Sequence, residues 1–293
     1  MSTKLGGEIK VANHTIQRIE FGAMQLPKQK DPSIAKKILR KAYESGIRFF
    51  DTALFYGNGV SNKYLVEELG NEKDALFVTK VGAKHVEGKI PIGSAQKPEE
   101  LREHVLLNLK SLNLKKLDIV FLRHIPEGTF PKSEDQKIDF KIQLEEMVKM
   151  RNEGLITNIG LSTVNLEQVK YAMQFGIVAV QNQYNLLDRK DEPVLEFCKK
   201  NKIAYLPYFP LGGDANFKWL KKVWDVPEVK DIAKEMGVTP AQVGLAWLLQ
   251  HAENIMLICG TSSLEHLEEN LAVGNIKISE ENMKKLDNVA PPK

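Results

Sequence analysis

The sequence predicts an α/β fold: a (β/α)8 TIM barrel with an N-terminal β-hairpin and an extra C-terminal helix. Short apolar runs alternate eight times with capped, amphipathic helical stretches along the 293 residues. The runs are apolar on both faces, as parallel strands covered by helices are. Most of them end on a polar or charged residue. Right-handed βα units repeated this often close into a barrel. An open doubly wound sheet would favour a glycine-rich turn after its first strand, and Gly22-Ala23-Met24-Gln25 is not G-x-G-x-x-G. No linker composition divides the chain, so one domain over 1–293 is expected.

Residues 8–18 alternate loosely around Asn13-His14-Thr15 and read as a hairpin, with His14 a plain turn residue. Arg18 to Gly22 is the first barrel strand, followed by a loop through Ala23-Met24-Gln25-Leu26-Pro27. Asp31-Pro32 starts a helix with an N-cap and a proline at its first position, and Ile34, Ile38, Leu39 and Ala42 form its apolar face. Gly46 stops that helix, because glycine takes the left-handed conformation cheaply. Ile47 to Phe50 is strand two, ending on Asp51, and a helix spans about Ser61 to Leu69. Strand three, Ala75 to Thr79, ends on Lys80; Lys97-Pro98 opens the next helix. Strand four, Leu117 to Leu122, ends on Arg123-His124 and leads by a long loop to a helix near 139–153 that Gly154 ends. Strand five, Ile156 to Leu161, ends on Ser162-Thr163; Asn165 caps the following helix and Gly176 ends it. Strand six, Val178 to Val180, ends on Gln181, and a helix covers about 191–201. Strand seven, Ile203 to Leu206, runs into Pro207-Tyr208-Phe209-Pro210-Leu211-Gly212-Gly213. Helices near 227–236 and 240–250 precede strand eight, Ile255 to Ile258; Thr261-Ser262-Ser263 opens the last barrel helix and Ser279 caps a C-terminal one.

Composition excludes several classes. Apolar content of 43% suits a globular protein with a sizeable core, and a net charge of +3 is too small to argue for nucleic acid or an acidic membrane. The first residues show no apolar signal core and no run is long enough to span a bilayer, so a cytoplasmic location is expected. Cys198 and Cys259 lie in apolar segments and read as small buried hydrophobes. No histidine–cysteine cluster has metal-ligand spacing, so no metal is expected. Oligomeric state is open.

In a barrel, chemistry sits at the C-terminal ends of the strands. Those ends carry Asp51, Lys80, Arg123-His124, Ser162, Gln181 and Tyr208, and Tyr56 follows Asp51 in a glycine-flanked loop. An ionised carboxylate is costly to bury without a partner. Lys80 is a plausible partner for Asp51, and an ammonium beside a tyrosine hydroxyl favours the phenolate. That makes Tyr56 a competent general acid toward a developing alkoxide.

With these residues in place, the chain resembles the aldo-keto reductases, NAD(P)H-dependent carbonyl reductases on a (β/α)8 barrel. The likeness runs from Ile19 to about Asp287 and rests on Phe50-Asp51-Thr52-Ala53 with Tyr56-Gly57, Thr79-Lys80-Val81-Gly82, Ile159-Gly160-Leu161-Ser162, Gln181 with Tyr184-Asn185, Pro210-Leu211-Gly212-Gly213, and Gly260-Thr261-Ser262-Ser263 with Glu269-Asn270. The resemblance implies NADPH as cofactor, with NADH possible, and a small carbonyl compound as substrate. It implies that nicotinamide delivers hydride to the carbonyl carbon, that Tyr56 protonates the oxygen, and that Lys80, held by Asp51, tunes Tyr56. Ser162 and Gln181 would hold the carboxamide, Tyr208 would stack on the nicotinamide, and Leu211 and Gly212 would cover the pyrophosphate. Thr261, Ser262 and Ser263 would take a phosphate at a helix start, where the dipole favours an anion. Glu269 and Asn270 would reach the adenine, and Met24 would line the substrate pocket.

The chain departs from the family pattern in three places. Thr163 stands where many members have asparagine. Gly260 and His266 replace the usual lysine and arginine at the 2′-phosphate, which predicts only a modest preference for NADPH. In an ungapped alignment through Asn108 to Ile119 the family's histidine column falls on Arg123, with His124 one residue late. Neighbours on a strand point to opposite faces, so one of the two enters the site. The branch that the chain looks closest to, pyridoxal reductases of bacteria and yeast, also reads arginine there. Pyridoxal carries an aldehyde beside a readily ionised phenol oxygen, which a guanidinium could bind. Three rival readings follow: a broad aldehyde reductase with His124 in the usual role, a cofactor-binding regulatory subunit, and a metal-dependent barrel hydrolase. The last lacks ligands in the sequence.

Overall fold

The computed structural model describes residues 5–87, 92–126, 133–213 and 220–290. Parts of the expected loops after Lys80, His124 and Gly213 lie outside these residues.

Two antiparallel strands, β1 (Glu8–Val11) and β2 (His14–Gln17), form the expected hairpin. Their Val11 and Ile16 bury against Phe49, Ile119 and Met256 inside the barrel, so the hairpin closes its N-terminal end. His14 is not the turn residue expected. The turn falls at Ala12-Asn13, with Ala12 in the left-handed region (φ 54°), and His14 starts β2, where its Nε2 pairs with the Asp118 carboxylate. A partner 104 residues away leaves no local signal.

Eight parallel strands follow in chain order: β3 (Ile19–Gly22), β4 (Phe49–Asp51), β5 (Leu76–Val81), β6 (Leu117–Arg123), β7 (Ile156–Ser162), β8 (Ala179–Gln181), β9 (Ala204–Tyr205) and β10 (Leu257–Ile258). The last strand pairs with the first, and a parallel bridge between Tyr205 and Ile255 closes the barrel. The expected eighth strand is therefore divided. Ile255 and Met256 serve β9 while Leu257 and Ile258 serve β3, because the chain bends where the sheet curls shut. Among the described residues ten helices accompany the strands: α1 (Pro32–Glu44), α2 (Val60–Leu69), α3 (Pro98–Ser111), α4 (Phe140–Asn152), α5 (Leu166–Ala172), α6 (Glu192–Lys200), α7 (Pro227–Met236), α8 (Pro240–His251), α9 (Leu264–Ala272) and α10 (Glu280–Asp287). The expected caps form: Asp31, Asn165 and Ser279 each accept a backbone N–H in the first turn, and Gly46, Gly154 and Gly176 end helices with positive φ. Residues 23–28, expected as loop, wind into a short 3-10 helix that carries Met24. Among the described residues no helix is long and apolar enough to cross a membrane.

Alternation along the strands divides the core in two. Phe49, Val78, Ile119, Phe121, Ala179 and Met256 fill the barrel interior, while Val120, Leu122, Ile159 and Leu161 pack outward against the helices. Asp51, Lys80, Arg123 and Gln181 share the interior parity. The spacing that fills the barrel thus aims these four at its C-terminal mouth. Glu20, fully buried on β3, accepts backbone N–H bonds from Gln17, Arg48 and Phe49. Burial pushes its carboxyl up to about 8 despite those donors.

Candidate active site

The site begins where β4 runs out. After Asp51 the chain turns through Thr52 to Phe55, and Tyr56 donates its backbone N–H to Ala53 O at 3.0 Å. Gly57, Asn58 and Gly59 are then all left-handed (φ 57°, 52° and 88°), a path that glycine and asparagine follow most readily. Gly57 also has no room for a side chain, since a Cβ there would lie 2.5 Å from Pro27 Cβ. This turn sets Tyr56 against the strand ends with 7% exposure.

Lys80 Nζ donates to both Asp51 oxygens at 2.6 and 2.7 Å, to Thr52 O at 3.0 Å and to Tyr56 Oη at 3.1 Å. Asp51 and Lys80 are each 2% exposed, so this is a buried ion pair whose desolvation is offset only by such close geometry. Gln181 Nε2 donates to the second Asp51 oxygen at 3.0 Å. Because Tyr56 Oη accepts from an ammonium, the phenol's own proton is directed elsewhere, and Tyr56 lines a cavity of about 450 Å³.

Ten of the residues expected at the site line that cavity: Met24, Asp51, Tyr56, Arg123, Gln181, Tyr208, Leu211, Gly212, Gly260 and Asn270. Lys80 stands behind Asp51 and Tyr56. Ser162 is fully buried beside Thr163, whose Oγ1 lies 3.4 Å from Ser162 Oγ and 3.5 Å from Tyr208 Oη. Thr261, Ser262, Ser263, His266 and Glu269 do not line the cavity. Thr261 Oγ1 accepts from Ser263 N, Ser263 Oγ caps His266 N, and His266 is exposed on α9. Gly260 cannot carry a side chain without movement, because a Cβ there would meet Gly22 O at 2.5 Å.

Strand parity sends Arg123 and His124 to opposite faces of β6. Arg123 continues the interior row of Ile119 and Phe121 and reaches the cavity. His124 is not in the cavity. It continues the outer row, with Nδ1 2.8 Å from Gln143 Oε1 and its ring edge-on to Phe140 at 5.6 Å. Arg123 makes no ion pair among the described residues, and its guanidinium lies between the rings of Phe55 (5.4 Å) and Tyr208 (5.8 Å).

Sequence reasoning missed Phe55, Trp224, Ile125 and Gln25, all in the cavity wall. Single residues in loops carry no periodic pattern that marks them. Thr163 enters the sequence reading only as a departure from the family pattern; it lines the cavity and is left-handed (φ 61°), which is rare for a β-branched residue. Cys259 touches the cavity, but burial pushes its thiol and that of Cys198 up to about 12. Among the described residues no group of His, Cys, Asp and Glu could hold a metal.

Two buried polar atoms at this mouth lack a protein partner: Gln181 Oε1 and Arg123 Nε. The first is an acceptor suited to an amide N–H, the second a donor suited to an anion or carbonyl oxygen.

The chain is similar to known proteins along most of its length. A sequence model described as the aldo/keto reductase family matches residues 18–291. A pyridoxine 4-dehydrogenase from Escherichia coli is 38% identical over 94% of this chain and 96% of its own length. An uncharacterized oxidoreductase from Schizosaccharomyces pombe is 35% identical over 96% of this chain and 89% of its own. Among solved structures, an aldo-keto reductase from Klebsiella pneumoniae in complex with NADPH superposes with a TM-score of 0.80, covering 98% of this chain and 95% of that one at 22% identity. At that identity the superposition speaks for the fold.

Proposed function

The chain belongs to the aldo/keto reductase family, and from that membership we propose that it reduces an aldehyde to an alcohol with NADPH, Tyr56 acting as general acid, and that its substrate is pyridoxal, yielding pyridoxine. The observation that carries the reading is a tyrosine hydroxyl held by a buried ammonium at the wall of the cavity that Arg123 enters. The name of the Escherichia coli relative supports the substrate, since a dehydrogenase run backward reduces its own product.

The residues present fit the cofactor. Gln181 Nε2 is engaged by Asp51, so its unpartnered Oε1 is left to accept a carboxamide N–H, with Ser162 beside it. Tyr208 would stack on the nicotinamide, and Leu211 and Gly212 would cover the pyrophosphate. The start of α9, from Thr261 to Ser263 with His266, would take the 2′-phosphate, and Glu269 and Asn270 the adenine. When bound, the nicotinamide supplies the hydride. Tyr56 gives its proton to the substrate oxygen, Lys80 stabilises the phenolate left behind, and Asp51 holds the ammonium in place. Phe55, Tyr208 and Trp224 offer flat apolar walls to an aromatic substrate and exclude water from the carbonyl. Arg123 cannot donate a proton at neutral pH; it orients and neutralises the phenolate oxygen of pyridoxal.

The test is substrate-dependent loss of nicotinamide absorbance. Arg123→Leu should lower kcat/KM for pyridoxal by roughly 10-fold or more, the scale of a hydrogen bond to a charged group. It should affect benzaldehyde much less, and His124→Leu should change either by only a few fold. A damaging His124→Leu, or a wild type that ignores pyridoxal, leaves only a broad aldehyde reductase.

Cofactor choice is tested separately. With glycine at 260 and a histidine at 266, NADPH should be preferred over NADH only modestly. His266→Arg should sharpen the preference, because a guanidinium pairs bidentately with phosphate. An unchanged ratio of kcat/KM for the two cofactors would remove the start of α9 from the binding site.

A further inference from the structure

The guanidinium of Arg123 has no hydrogen bond or ion pair of its own among the described residues. Its aim comes from its backbone and from the two rings beside it. That backbone is gripped by Gln96, a fully buried residue just before α3. Gln96 Nε2 donates to Arg123 O at 3.0 Å and to Gly82 O at 2.5 Å, tying the end of β6 to the end of β5. Its Oε1 accepts from Ile125 N at 3.0 Å. One amide therefore holds the peptide groups on both sides of residue 124.

The orientation of that amide is determined by its neighbours. Gln143 Nε2, on α4, donates to Gln96 Oε1 at 2.9 Å and to Gln96 O at 3.0 Å. Gln96 N donates to Gln136 Oε1 at 2.7 Å. A flipped Gln96 would set its NH2 against two donors and its oxygen against two carbonyls. Since Gln143 Nε2 is the donor toward Gln96, Gln143 Oε1 is an acceptor, and His124 Nδ1 must carry the proton it receives. The same chain of amides thus holds His124 outward. Gly82 completes the clamp: a Cβ there would lie 2.2 Å from Arg123 O, so the two strand ends meet backbone to backbone.

We propose that Gln96 is a positioning residue that acts through Arg123, aiming the guanidinium into the cavity and so setting the preference for aldehydes that carry an anionic oxygen beside the carbonyl. This rests on the reading of Arg123 as the anion contact. A fully satisfied buried network of this kind is rigid, and rigidity is what a contact without its own tether requires. Gln96 does not line the cavity.

The experiment measures kcat/KM for pyridoxal and for benzaldehyde and reads their ratio. Gln96→Met keeps the length of the side chain and removes both donors and the acceptor. Gln143→Met removes the brace on Gln96 from the helix side and serves if Gln96→Met does not fold. Either should lower the ratio about tenfold, within the 10²-fold that an ångström of misplacement can cost, through KM for pyridoxal more than kcat. Combined with Arg123→Leu, neither should lower the ratio further. Rates that fall together at constant ratio, or a glutamine effect that persists in full without Arg123, would overturn the proposal. If Arg123→Leu lowers the ratio and neither glutamine variant does, the role of Arg123 stands and that of Gln96 falls. If Arg123→Leu itself leaves the ratio unchanged, both fall.

Discussion

Tyr56→Phe is expected to lower kcat by at least roughly 10²-fold, the usual scale of general acid catalysis, which is about 2.7 kcal/mol in the barrier. The ring and its packing survive the change. Phenylalanine keeps the edge-on contact with Phe55 at 4.8 Å between centroids and loses only the oxygen that accepts from Lys80 at 3.1 Å. Cofactor affinity should therefore barely move, since no residue assigned to the cofactor bonds to that hydroxyl. The measurement is single-turnover reduction with saturating NADPH, alongside a cofactor titration by fluorescence. Turnover retained in Tyr56→Phe would sink the mechanism, because among the described residues no other hydroxyl in the cavity accepts a hydrogen bond from a buried ammonium.

The second large effect is on stability. Lys80→Met removes the cation but leaves Asp51, 2% exposed, with Gln181 Nε2 as its one side-chain donor among the described residues. Stranding one partner of a buried pair typically costs about 3–5 kcal/mol. Asp51→Leu should strand Lys80 at a similar cost. The double variant Asp51→Leu/Lys80→Met replaces the pair by apolar groups of similar reach, and most of the stability should return. Activity should not return, because the ammonium that stabilises the Tyr56 phenolate is gone. Urea denaturation of the four proteins gives the coupling directly. Single variants as stable as the wild type would mean that the pair is wetter than its burial indicates.

How far the site could be read in advance differed from residue to residue. Asp51 stands out because an acid at the end of an apolar run has no packing use; Lys80 gains meaning only beside it, and Gln181 only through the family resemblance. Tyr56 stood out because its flanking glycines announced a turn. Gln96 gave no such signal. A glutamine before a helix start reads as solvated loop, and only bonds to residues 14, 27, 29, 40 and 47 positions away reveal that it is buried. Phe55 and Trp224 were equally silent, since a loop aromatic has no periodicity to betray which cavity it faces. His14 was misjudged for the same reason: its partner Asp118 lies on a distant strand.

By itself the sequence determined the order of eight βα units, the caps that start and stop most of the helices, and the set of polar groups at one end of the strands. These are local consequences of period, capping chemistry and backbone preference, so they are written within a few residues of where they act. Only the tertiary structure decided that Arg123 turns into the barrel and His124 away from it. Strand β6 is apolar on both faces, Ile119 and Phe121 inward, Val120 and Leu122 outward, so its sequence holds no alternation from which parity could be read. The parity is set by contacts between strands. Gly160 has no Cβ because Phe121 would be 2.5 Å from it, and Gly82 has none because the Arg123 carbonyl would be 2.2 Å away. Those close approaches admit one register for the end of β6, and that register chooses which of two adjacent residues enters the cavity.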